Sequence, residues 1–522
     1  MKIAGAGITA GFTQPPALHA ASASASLSAS WISVRDHGAK GDGSATDSPA
    51  INRALAAAAS AGGGTVYFPA GVYLSYSIRL QSKVALYLDQ GAVLLAGPTP
   101  LDGTASGGYD EAEPQGAWEP YQDYGHNHWH NSLLWGEDLT DVSITGPGLI
   151  WGKGLSRGWD TEKTRPDSSK PGVGNKALAL KNCRNVLLRD FKILEGGWFG
   201  ILATGVDNLT IDNLLIDTIR DGIDIDCCRN VRVSNCTVNS PWDDGICPKS
   251  SFALGTARPT ENLTISNCYV TGGYEVGSVL DGTWKPLADK GAWWTGRIKM
   301  GTESNGGFRN IAISNCIFES CKGLAIESMD GALAEDFAVT NVTMRDLRSA
   351  PFFLRLGTRM RGPRDAKPGV LRRVLLSNIT CTSASPLPAI LAGVPGHPLE
   401  DIQISDVLIQ QAGGGDDAMA ARIPEEREAA YPDPEMFGAL PATGLFARHV
   451  RDLEVSNFGI TVRDSDARPA FWLHDVEGAD FFRVRTPAAA AAYDLRACRR
   501  FRSFGSAQHE DVKFEEVAAQ KI

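Results

Sequence analysis

A parallel β-helix, a solenoid of short stacked strands, is the fold this sequence predicts, and three observations carry that prediction. One unit recurs along the chain, its apolar residues alternate with polar ones, and every copy places Asn or Asp at the same point. The unit reads polar, Asn or Asp, apolar, any, apolar, any, Asn or Asp. It covers residues 184–190, 207–213, 229–235, 261–267 and 309–315, with weaker copies from near Asp141, Asp336, Arg373, Asp401 and Asp452. Asn185, Asn208 and Asn230 are spaced 23 and 22 residues apart, and the next gaps are 32 and 48.

A repeat of about 20–25 residues is the mark of a solenoid. Alternation with period two means strand, and the inward positions are rich in β-branched residues, which suit strands. One strand set cannot bury its apolar face alone, so neighbouring units must stack. The Asn positions then fall above one another at a turn and share side-chain amide bonds. Leucine-rich repeats have a similar period but need a Leu framework that is absent here. The longer gaps read as loops inserted at turns, where binding surfaces usually lie.

Taken in order, residues 1–30 pair one Lys with a short apolar stretch and Ala-rich sites such as Leu18-His19-Ala20. They read as an export signal or an unstructured leader. Residues 31–75 read as an N-terminal cap: a strand, the Gly turn 38–43, a helix across 47–60 stopped by Gly62 to Gly64, and a return to strand. Such a helix covers the edge that a solenoid otherwise exposes. The turn Gly38-Ala-Lys-Gly-Asp-Gly43 lacks the Gly-Lys-Ser/Thr ending of a phosphate loop. Beyond residue 412 the repeat weakens behind a Pro- and charge-rich insertion at 413–441, which reads as irregular coils at the far end of one catalytic domain spanning 31–522.

Composition bounds the function. The chain has 522 residues, is 43% hydrophobic and 21% charged, and carries a net charge of -10. It lacks the basic stripe expected of a nucleic-acid partner. No run reaches the roughly 18 apolar residues of a membrane span. Of ten cysteines, Cys236, Cys268 and Cys316 share one repeat position and read as stacked buried thiols. Neither disulfides nor a metal is expected, and nothing demands an oligomer.

The chemistry concentrates at 219–251. Asp221, Asp224 and Asp226 are followed one coil later by Asp243 and Asp244. Strand spacing places Asp221 about 5 Å below the pair. Adjacent residues on a strand face opposite ways, so Asp243 and Asp244 both reach one groove only if the chain bends, and Gly245 permits that. Three carboxylates this close cannot all ionise freely. One protonated acid beside ionised partners is what glycoside hydrolysis requires.

Ile219-Arg220-Asp221-Gly222-Ile223-Asp224 and Trp242-Asp243-Asp244-Gly245-Ile246-Cys247-Pro248-Lys249-Ser250 resemble motifs of the polygalacturonases, glycoside hydrolase family 28. The resemblance runs from the Gly turn at 38–43 to about residue 380. It implies a right-handed, single-stranded parallel β-helix, export to the periplasm or medium, no cofactor, and inverting hydrolysis of galacturonosyl bonds in pectin. It implies that Asp243 is the general acid, while Asp221 and Asp244 hold and deprotonate the attacking water.

Two family motifs depart. No His stands in the family's Gly-His-Gly: one placement puts Tyr274 there, the other falls at Thr295-Gly296-Arg297. In the second, preferred placement the family's Arg-Ile-Lys becomes Ala325-Ile326-Glu327, and Arg297-Ile298-Lys299 lies one coil earlier. This points away from an ordinary endo-acting enzyme and toward rhamnogalacturonan, another decorated pectin, or chain ends. Arg220, Lys249, Arg297 and Lys299 are the cations expected to read a uronate. Trp242, and Trp284 or Trp293 within the insertion at 277–296, are candidate sugar platforms. The histidines of Gly125–His130 line the groove or replace the missing family His. Two rival readings stay open: a lyase with Arg220 or Lys249 as base and calcium on the aspartates, and a non-catalytic carbohydrate-binding β-helix.

Overall fold

The computed structural model describes residues 31–100, 105–156, 175–288, 294–487 and 491–522. The expected leader at 1–30 and Trp293 lie outside them.

The repeat units form strands that stack in parallel. Arg184–Arg189, Asp207–Asp212, Arg229–Ser234, Thr260–Ser266 and Phe308–Ser314 each pair with the next. Register holds Val186, Leu209, Val231, Leu263 and Ile311 in one buried column. A slip of one residue would turn every such column to solvent. The insertions within the gaps of 32 and 48 residues leave at turns and do not disturb the stack.

The turns explain the Asn signature. Asn185, Asn208, Asn230, Asn262 and Asn310 all have φ between 54° and 58°, a left-handed conformation that Asn tolerates better than most residues. Their amides form a ladder, in which the Nδ2 of Asn208, Asn230, Asn262 and Asn310 donates to the Oδ1 of the residue one coil before at 3.0, 3.2, 3.1 and 3.1 Å.

A second parallel sheet of six strands runs from Ile78–Arg79 through Leu134–Glu137, Leu178–Lys181, Ile201–Thr204 and Ile223–Asp226 to Ile246–Lys249. Ile223, Ile225 and Ile246 face the core, while Asp224, Asp226 and Lys249 face away from it. This outer face is the floor of the site.

The helix Ser48–Ser60 lays Ile51, Ala54, Leu55 and Ala58 over the first coil. The ten cysteines are free thiols and buried. The C-terminal coils depart from expectation. They are regular and include an 18-residue strand, Leu445–Val462. Their turns use Asp452, Asp475, Arg483 and Arg500 at left-handed φ, so the Asn signature fades while the geometry persists. The strand Val512–Lys521 turns back antiparallel on Tyr493–Phe504 and closes the sheet edge. The insertion at 413–441 is not at the far end. It folds back over the outer face, packing Phe437 and Leu440 against Phe353, Ile390, Phe446 and Trp472.

Candidate active site

Asp221 stands two residues before the strand Ile223–Asp226, and Asp244 two before Ile246–Lys249. These strands pair Ile223 with Ile246, so Asp221 lies in step with Asp244, and Asp243 sits one residue earlier. The coil is thus one residue longer than the 22 counted to Asp243. The Asp243-Asp244 pair occupies a turn, not a strand, which lets both side chains reach one side. Gly222 is required here, because a Cβ would meet Gly245 O and Val238 Cγ1 at 2.5 Å. One carboxylate oxygen from each of Asp221, Asp243 and Asp244 lies within 4.8 Å of the others. The Asp244 N–H donates to Asp221 Oδ1 at 3.0 Å.

Four predicted cations surround this cluster, each beside a carboxylate. Arg297 Nε donates to Asp244 Oδ1 at 2.8 Å, and Lys299 Nζ lies 3.2 Å from Asp244 Oδ2. Lys249 Nζ is 3.2 Å from Asp224 and 3.5 Å from Asp221. Arg220 is 3.3 Å from Asp243, and its guanidinium covers the Trp198 ring at 3.7 Å. Ile298 bridges to Ile246, and Lys299 pairs with Ala325. Arg297-Ile298-Lys299 therefore sits one coil beyond Asp244, and Ala325-Ile326-Glu327 one coil further.

Burial sets the protonation pattern. It pushes the Asp221 carboxyl well above its ordinary range, and the neighbouring Asp224 and Asp243 charges add to it. Burial also raises Asp224 to about 6, against the pull of Lys249. Asp244 is buried too, but Lys299, Arg297 and Lys249 outweigh that and hold it below the usual carboxylate range. Glu327 rises to about 7, since burial prevails over Lys299 and Arg297. Lys249 is buried, yet the surrounding Cys247, Asp224 and Asp221 hold it well above its ordinary value. The cluster therefore contains a protonated carboxyl next to an ionised one.

Not every predicted residue joins this group. The Tyr274 hydroxyl bonds Glu319 at 3.3 Å, and Trp284 meets the Tyr269 and Tyr274 rings edge-on at 5.6 and 5.1 Å. These aromatics form a separate cluster, with no described contact to the three aspartates. Trp242 is 38% exposed beside Asp243, an open face at the rim. The histidines have acidic partners. His126 Nδ1 meets Asp123 at 2.5 Å and its Nε2 is 3.9 Å from Glu303, while His130 Nε2 meets Glu137 at 2.8 Å and Glu113 at 3.4 Å.

Sequence reasoning missed several neighbours. Asp224 was visible in the Asp-Gly-Ile-Asp string, and period-two alternation marks it as outward-facing. Glu303, 3.7 Å from Lys249, carries no motif, and Glu327, 3.9 Å from Lys299, enters the sequence reading only as the residue in place of the family's Lys. Tyr431 and Asp433 come from the insertion at 413–441. The Tyr431 hydroxyl is 3.1 Å from Lys299 Nζ, and Asp433 lies 3.8 Å from Arg297 and 2.8 Å from Lys322.

The floor is covered on both sides. Before the site, Trp129, itself 2% exposed, packs with Ala179, Leu202 and Phe199. Beyond it, the insertion covers Phe353 and Ile390. Between these covers lie the coils of Asp224, Cys247 and Lys299, about 10 Å at sheet spacing, where Trp242 and the Asp243 side chain, 38% and 30% exposed, reach the surface.

Comparison with known proteins gives related results. Residues 31–92 match the family described as rhamnogalacturonase A/epimerase, pectate lyase-like, and residues 176–347 match the right handed beta helix region. A probable polygalacturonase of Vitis vinifera is 25% identical over 422 residues, covering 75% of this chain and 76% of that protein. An exo-poly-alpha-D-galacturonosidase of Dickeya chrysanthemi is 23% identical over 372 residues, covering 60% of this chain and 55% of that one. The crystal structure of a Thermotoga maritima exopolygalacturonase superposes with a TM-score of 0.60 at 16% identity, covering 94% of this chain and 95% of the other, a likeness of fold.

Proposed function

We propose that the chain, which is similar to polygalacturonases and carries a right-handed β-helix region, is a glycosidase that hydrolyses pectic polysaccharide from chain ends, at galacturonosyl or rhamnogalacturonan linkages. The observation that carries the proposal is the cluster of Asp221, Asp243 and Asp244, oxygens within 4.8 Å, on a stretch of the floor bounded by covers on both sides. A stretch of about three coils bounded in this way suits the end of a chain, not its middle.

In the proposed reaction one glycosidic C–O bond breaks. Asp243, at the rim, gives its proton to the leaving oxygen. Asp244, held ionised, takes a proton from water as the hydroxyl joins the anomeric carbon, with Asp221 orienting that water. Inversion rests on the resemblance. The oxygen separation is shorter than the roughly 6.5–9.5 Å usual for inverting pairs, so the anomer released first, read by proton NMR, decides the stereochemistry.

The lyase reading needs a neutral base, and Lys249 is held cationic by its carboxylates. A pure binder would be unharmed by loss of the Asp243 carboxyl, which the Asp243→Asn variant tests. Export to the periplasm or medium and action as a monomer complete the proposal. No described helix is long and apolar enough to cross a membrane. The test is incubation with polygalacturonan and with rhamnogalacturonan oligosaccharides in EDTA, with Asp243→Asn as control. Saturated short products, absent in the variant and formed with little loss of viscosity, are expected. Unsaturated products would mean a lyase, and rapid loss of viscosity would refute end-on action.

A further inference from the structure

The charges of this pocket go one step beyond the reading above, and rest on it. Each cation that could read a uronate is already committed. Arg297 lies between Asp244 and Asp433, Lys299 between Asp244 and Glu327, and Lys249 between Asp224 and Asp221. Arg220 faces Asp243, and Arg359, further along, faces Glu303 and Asp330. Every one of these bases already faces at least one carboxyl, so none stands free to attract an anion.

The unmet hydrogen bonds agree. Oδ2 of Asp224 and Oε1 of Glu327 are buried without a hydrogen-bond partner, and Oδ1 of Asp224 has only the Lys249 ammonium at 3.2 Å. These are acceptors, and a buried acceptor is costly until a donor meets it. Sugar hydroxyls are donors, whereas a carboxylate adds only acceptors and like charge. At least as many donors are unmet, namely His126 Nε2, Trp198 Nε1, Arg220 Nε and Arg297 Nη1, and hydroxyl lone pairs serve those, so the site asks for groups that both donate and accept. Glu327 stands where the resemblance puts a lysine, so a fixed uronate-reading cation is replaced by a buried carboxyl.

We propose that the terminal sugar held in this pocket is neutral, such as a deoxyhexose or hexose, and that the enzyme removes neutral ends from a pectic chain. A uronate in the same place must break one of these ion pairs or sit against Glu327 and Asp433, which selects against it.

The test uses the whole protein and two sets of pectic oligosaccharides of equal length, one ending in a neutral sugar and the other in galacturonate. Reducing-end release gives kcat/KM for each at low and high salt. The expectation is a value about tenfold higher for neutral ends, with KM insensitive to salt. Preference for uronate ends, with KM rising as salt screens the charges, would overturn the inference while leaving the glycosidase reading intact. Hydrolysis of neither set would remove that reading, and this inference with it. Asp433→Asn, which strips one carboxylate from Arg297, is expected to raise the relative rate on uronate ends about threefold. A fall would contradict the charge argument.

Discussion

Replacing Asp244 by Asn removes one charge and almost no volume, so its effect isolates electrostatics. Asp244 is the shared counter-ion of Arg297 at 2.8 Å and Lys299 at 3.2 Å, and all three are about 2% exposed. Breaking a buried pair by removing one partner costs roughly 3–5 kcal/mol, because an uncompensated charge stays buried. Asp433 at 3.8 Å and Glu327 at 3.9 Å remain to take part of the load, so about 3 kcal/mol is expected, toward the lower end. Asp243→Asn is the internal control. Its side chain is 30% exposed, and its partner Arg220 keeps Asp123 at 3.9 Å and the Trp198 ring. That variant should lose under about 1 kcal/mol. Both should lose about 100-fold or more in kcat, since each is placed in the chemistry. Denaturant unfolding followed by tryptophan fluorescence measures the difference. Asp244 titrates below the unfolded value of about 3.9, so its contribution is complete above that pH and fades as pH falls through the folded value. The gap between the variants should therefore be flat from about pH 5 to 8. Equal stability of the two variants would refute the claim that Asp244 neutralises the buried cations.

Asp221 should behave in the opposite way. Its folded pKa is raised, so the folded state binds the extra proton and stability falls as pH rises from about 3.9 through the folded value. Asp221→Asn should then be inactive yet more stable than the parent at pH 8, with the advantage gone near pH 4, as thermal melts at both pH values would reveal. An aryl glycoside with a good leaving group needs no proton from the enzyme. Asp243→Asn should recover at least about tenfold relative activity on it and Asp244→Asn should not, and the reverse would exchange the proposed acid and base. In the ladder, Asn230→Ala places a non-Gly residue at φ 56° and deletes two amide bonds. It should cost about 2 kcal/mol by denaturant titration, and Asn230→Gly less.

How much of this was readable beforehand follows from range. The ladder, the stacked columns and the Asp221–Asp244 juxtaposition repeat at the period of the coil, so spacing alone locates them, to within the one residue by which this coil exceeds 22. The C-terminal coils keep the same geometry but satisfy their left-handed turns with Asp and Arg, and a search for Asn loses them. Tyr431 and Asp433 are the harder case. They lie more than 130 residues from Lys299 and Arg297, in a Pro- and charge-rich stretch whose only local message is that it is a loop. What directs them to the site is the apolar outer face of the later coils, where Phe353, Ile390, Phe446 and Trp472 stand at positions that should face water. Outward aromatics on a solenoid need a cover, and the insertion carrying Phe437 and Leu440 is the segment that supplies it. Read that way, the pattern of the strands predicts that a loop must return across the floor. That return is what brings Asp433 to Arg297 and Tyr431 to Lys299.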